Sequence, residues 1–157
     1  MTFRKHYPEC EVSCIDALGD ALREGGEAIA AVILEPLLLG AGGTLNDDMK
    51  KIREMSRWIV KNLGQDVPVH FSRFIPHYKL ADLPPTPIET LSEARKTAMD
   101  AGVKFVYIGN IRHDGENTFC PKCKKTLIER KVYTVVQNNI LNGKCRFCNT
   151  AIPGVWS

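Results

Sequence analysis

The sequence predicts an α/β fold: a partial (β/α) barrel fragment or a small parallel sheet with helices, followed by a C-terminal zinc-ribbon or rubredoxin-like module. Three observations carry that expectation. Segments of helical and strand periodicity alternate through residues 1–116 with short connections, the pattern of parallel strands joined by crossover helices. Four of the six cysteines fall into two C-x-x-C pairs between positions 120 and 148. A chain of 157 residues can bury one sizeable core and still carry a small appendage.

Taken in order, Ser13 is a good N-cap with Asp16 at the third helical position. Ile15, Leu18 and Leu22 follow at helical spacing, and Gly25 and Gly26 end the segment. The run from Ala28 to Leu39 reads as a strand buried on both faces, closed by "GAGG". Asn46 then caps a helix whose first turn carries Asp47 and Asp48, with Ile52, Met55, Ile59 and Leu63 as its apolar stripe and Gly64 as its stop. "VPVHFSRF" (67–74) alternates as a strand does. After a proline-rich loop, Thr86, Pro87 and Glu89 have the form of a capping box; Ile88, Leu91, Ala94 and Ala98 line one helical face, and Gly102 ends it. "KFVYIGNI" (104–111) is the third strand. A boundary near residue 116 separates these elements from the module at 117–157.

Cys120, Cys123, Cys145 and Cys148 are the metal-ligand candidates. Two residues between partners let one tight turn aim both sulfurs at a single ion, and "TLIER" and "YTVVQN" between the pairs suit two short strands. Two independent redox pairs would each need a strand-to-helix setting, which this stretch lacks. With all four positions filled by sulfur, Zn2+ in a closed structural site is the expected occupant, and iron remains chemically open. The metal is expected to be a clasp rather than the chemistry.

Charge is unevenly placed. From Cys120 onward there are seven basic residues against one acid, Glu129, so the tail carries +6 and the remainder −3. Four thiolates around one zinc would bring the tail to about +4. The longest apolar run is too short for a membrane span and is broken by Glu35 and Pro36; no leader is recognisable, so no membrane role and a cytoplasmic location are expected. In that compartment paired cysteines read as metal ligands before disulfides.

Other candidates are weaker. Cys10 and Cys14 open a C-x3-C-x2-C pattern whose third position is Ala17, so they read as two plain thiols. The histidines at 6, 70, 77 and 113 show no ligand spacing. Ser72 and Arg73 end the second strand, where parallel sheets bind ligands, and are the cofactor-binding candidates. No catalytic residue is assigned, because no nucleophile–base pair or phosphate loop is present.

From Leu45 onward, "HFSRF", "LPPTP", "YIGN", "GENTFCPKC" and the closing "IPGVW" resemble the C-terminal portion of the AmmeMemoRadiSam-type radical S-adenosylmethionine proteins, relatives of the pyruvate formate-lyase activating enzymes. The resemblance implies the last part of a partial (β/α) barrel with a zinc-ribbon-like tail. It also implies a [4Fe–4S] cluster and S-adenosylmethionine in full members, but the motif that holds them is absent from these residues. Residues 10–43, including "IAAVILEPLLLGAGG", are similar instead to a segment of class III pyridoxal-phosphate aminotransferases. That suggests a junction of two origins near residue 43.

The expected function is therefore a metal-binding protein, a truncated barrel not active alone. The competing expectation is a zinc-ribbon module whose basic face binds nucleic acid or an acidic protein, with Tyr133, Phe147 and Trp156 available for stacking. Exposed sheet edges also suggest self-association or pairing with a partner chain.

Overall fold

The computed structural model describes residues 49–78, 81–131 and 134–156. The expected helix after Ser13, the strand at 28–39, the Asn46 cap with Asp47 and Asp48, Cys10 and Cys14 lie outside the described residues, as does Tyr133.

Helix α1 (Met49–Asn62), strand β1 (Val69–Ser72), helix α2 (Ile88–Asp100) and strand β2 (Val106–Gly109) follow one another. β1 and β2 pair in parallel, Val69 opposite Val106 and Ser72 opposite Gly109, with α2 as the crossover. This is the α/β arrangement that the alternating pattern predicts. Among the described residues the parallel sheet has two strands.

Side-chain alternation sorts the sheet into two faces. Val69, Phe71, Val106 and Ile108 are buried, and they share one core with Ile52 and Ile59 of α1 and Leu91, Ala94 and Ala98 of α2. Each large side chain sequestered this way contributes about 1.5–3 kcal/mol. Met55 and Leu63, expected on the α1 stripe, lie at the margin of this core, while Ser56 is fully buried and donates to the Ile52 carbonyl at 2.7 Å. His70 and Tyr107, paired across the strands, stack on the opposite face with ring centroids 4.8 Å apart.

Gly64 and Gly102 both lie at positive φ (96° and 110°) just beyond α1 and α2, as the stop signals require. The capping box does not form. Pro87 occupies the N-cap position of α2, without a side-chain cap. The Thr86 hydroxyl instead accepts the Phe74 N–H at 3.2 Å, and the Thr86 N–H donates to the Phe74 carbonyl at 3.2 Å. Thr86 thus ties the proline-rich loop back to the end of β1, and Ile88, at the first helical residue, stays exposed.

Beyond a short 3-10 turn (Asp114–Glu116), strands β3 (Thr118–Phe119), β4 (Thr126–Lys131) and β5 (Thr134–Asn138) form an antiparallel sheet, and β6 (Ile140–Leu141) pairs with β7 (Lys144–Cys145). β4 and β5 are the two strands expected between the cysteine pairs. A second core gathers Leu127, Ile128, Ile140, Ile152, Cys120 and Cys145 around Phe105, with Tyr107 packed against it. Among the described residues no helix is long and apolar enough to cross a membrane.

Candidate metal centre

Each cysteine pair sits on a tight turn, and the two turns are built alike. In the first, the Cys120 N–H donates to the Lys125 carbonyl (2.9 Å) and the Lys124 N–H returns to the Cys120 carbonyl (3.0 Å). In the second, the Cys145 N–H donates to Thr150 (2.8 Å) and the Asn149 N–H to Cys145 (2.8 Å). Lys124 and Asn149, each immediately after the second cysteine of its pair, both take a left-handed backbone, with φ of 62° and 59°. The reversal this permits points both sulfurs of a pair to one side.

The result brings all four Sγ atoms within 4.8 Å of one another. Cys120 and Cys148 lie 3.6 Å apart, and Cys123 and Cys145 lie 3.7 Å apart. A tetrahedral ion with metal–sulfur bonds of about 2.3 Å holds its ligands about 3.8 Å apart, so the cluster has the dimensions of a tetrathiolate site. Cys120 and Cys145 are buried, whereas Cys123 and Cys148 are half-exposed. The Cys123 N–H also points at Cys120 Sγ from 3.5 Å, a backbone dipole that favours the thiolate.

Without a cation the thiols restrain one another. Hydrogen bonding with the side chain and then the backbone of Thr150 pulls the Cys148 thiol down to about 6. Its neighbour Cys123 is pulled down by the Lys125 backbone, but desolvation and the other three sulfurs outweigh this and push it up to about 11. Once one thiolate forms, its neighbours resist ionisation; a divalent cation at the centre removes that resistance and lets all four ionise together. The donor set, the spacing and this charge problem all fit a metal ion, and the four cysteines can hold one.

Residues outside the ligand set brace the site. Asn139 is buried; its Nδ2 donates to the Thr126 carbonyl (3.1 Å), its backbone N–H donates to Leu127 (2.6 Å), and its carbonyl accepts from Arg146 (3.0 Å). It therefore links the start of β4 to the second cysteine turn. Arg130 Nη1 donates to the Glu116 carbonyl and to Thr118 Oγ1, while its guanidinium lies over Tyr107, 5.6 Å from the ring centroid. Neither residue is singled out by motif or spacing. The asparagine after Cys148 was the legible hint of a left-handed turn; the lysine after Cys123 was not.

Ser72 and Arg73 are placed at the end of β1, as expected. The Arg73 N–H extends the parallel ladder to Gly109 (3.0 Å), and its Nε donates to the Thr86 carbonyl (2.9 Å). Ser72 is half-buried beside Gly109. Arg73 thus helps to fasten the proline-rich loop, and the pair is not part of the sulfur cluster. The pKa of His70 is lowered, first by burial and then by the charge of Arg130.

The chain is 44% identical over 110 residues to an uncharacterized protein of Methanocaldococcus jannaschii, a match covering 68% of this chain and 33% of that protein. The chain therefore spans about a third of that relative's length. No family model matches the sequence, and no solved structure does.

Proposed function

We propose that this chain binds one Zn2+ through Cys120, Cys123, Cys145 and Cys148, and that the ion is a structural clasp on the end of a partial (β/α) barrel of radical S-adenosylmethionine type. The observation that carries the first part is the convergence of four sulfurs from two matched turns within 4.8 Å. A fully sulfur-ligated ion has no open position for substrate, so it stabilises structure rather than performing turnover. What supports the second part is the parallel β1–α2–β2 unit, the motifs from "HFSRF" to "IPGVW", and a longer relative of which the matched segment makes up about a third. The C-x3-C-x2-C motif that would hold an iron–sulfur cluster and S-adenosylmethionine does not occur in these 157 residues. On this reading the chain supplies barrel wall and clasp, and radical chemistry belongs to longer proteins that carry the motif.

Metal content and visible absorption of protein purified without oxygen test the proposal. One zinc per chain in a colourless sample is the expected result, with substituted Co2+ giving intense sulfur-to-metal charge-transfer bands. A brown sample containing iron and sulfide would refute the clasp and make these cysteines cluster ligands.

A further inference from the structure

We propose that the two cysteine turns form a docking surface for single-stranded nucleic acid, with Phe147 as the stacking platform; this rests on the folded, metal-loaded module described above. Lys122, Lys124, Lys125, Lys144 and Arg146 are all exposed and all lie in or beside the cysteine turns. Five positive charges exceed the net double negative charge of a zinc tetrathiolate, so they do more than neutralise the cluster. The one acid from Cys120 onward is Glu129. It lies on β4 in a groove shared with Arg112, Asp114, Glu116 and Arg130, none of them a residue of the turns.

Phe147 lies in the second turn and is 45% exposed, although a phenylalanine in a small module is expected to be covered. Lys125 of the first turn places Nζ 4.8 Å from its ring centroid, which puts the basic residues of one turn against the aromatic of the other. Lys125 lies over one face of this half-exposed ring, so the arrangement suits a strand whose phosphates pair with lysine and arginine while a base stacks on the other face or takes the lysine's place. An acidic peptide would satisfy the charges but leave the ring uncovered. Trp156 does not serve in the same way, because it packs over Gly143 and Gly154 and donates Nε1–H to the Ile152 carbonyl.

Fluorescence anisotropy with labelled oligouridylate and the zinc-loaded full chain tests this, with zinc content measured on every sample. Binding is expected at about 50 mM salt, with log K falling against log salt at a slope of about −3 if four of the cations meet phosphates. Phe147→Ala should weaken binding about tenfold at unchanged slope, and Lys122→Glu should make the slope shallower by about one unit, both with zinc retained. Absence of binding by zinc-loaded wild type overturns the proposal. So does unchanged affinity in both variants, or equal binding of polyglutamate, which would assign the surface to an acidic protein. Wild type without zinc would instead overturn the clasp.

Discussion

Replacing Lys124 with glycine should stabilise the protein, although lysine to glycine at an exposed position ordinarily does the reverse. Lys124 holds φ at 62°, where a side chain crowds the following carbonyl at a cost of about 1–2 kcal/mol. Glycine removes that cost but enlarges the unfolded ensemble, returning about 0.4–1 kcal/mol. The net gain is about 0.5–1 kcal/mol, a rise in melting temperature of about 2 °C for a chain of this size. The bond from the residue 124 N–H to the Cys120 carbonyl is a backbone contact and survives the change. Melting curves of the zinc-loaded protein measure the effect, and Lys124→Ala is the control, since it removes the charge but keeps a Cβ in the left-handed region. If Lys124→Gly melts lower than wild type, the left-handed strain is not what governs this position. If Lys124→Ala gains as much as Lys124→Gly, the effect belongs to the charge and the backbone argument fails.

Asn139→Ala should cost about 1–3 kcal/mol, because it takes from the Thr126 carbonyl its buried donor. Chelator competition should also show weaker zinc retention, and unchanged stability and retention would remove Asn139 as a brace. Acid sensitivity should trace in part to His70. Its pKa is lowered in the folded protein, so its contribution to stability is complete above the unfolded value of about 6.5 and is lost as pH falls through the folded value. His70→Phe keeps a ring against Tyr107 but cannot titrate, so its melting temperature should fall less steeply than wild type below about pH 6.5; parallel curves would exclude His70 as the source.

The elements most legible in the sequence were those whose information is local. Gly64 and Gly102 marked helix ends because no other residue takes positive φ so cheaply, and the spacing of Leu91, Ala94 and Ala98 marked a buried face. The two C-x-x-C pairs marked the four sulfurs that converge, since two intervening residues are what one turn needs. What failed to show was set by partners distant along the chain. Thr86 has the form of a cap, yet its hydroxyl is engaged by Phe74, twelve residues earlier, a bond no local pattern reveals. Ser56 occupies a buried helical position because it can bond its own Ile52 carbonyl, so a polar residue interrupts the apolar stripe. Asn139 and Arg130 carry no motif; their importance lies in which carbonyls they reach.

The proposed clasp would also have a mechanical consequence for the parallel sheet. The first core draws on α1, β1, α2, Val103 and β2, and contains none of the four cysteines. The second contains Cys120 and Cys145, with Cys123 and Cys148 at its margin, and beyond them relies on few large side chains. A core this small would gain stability from a bound ion, as small metal-binding modules generally do. Yet Phe105, immediately before β2, is buried in the second core, and Tyr107 of β2 packs against it while stacking on His70 of β1 and lying under Arg130. Loss of the ion would therefore uncover Phe105 and Tyr107 as well as the sulfur cluster. A bound ion's stabilising effect would reach the β1–β2 pair through these two side chains, so the proposed clasp would hold the end of the sheet as well as its own turns.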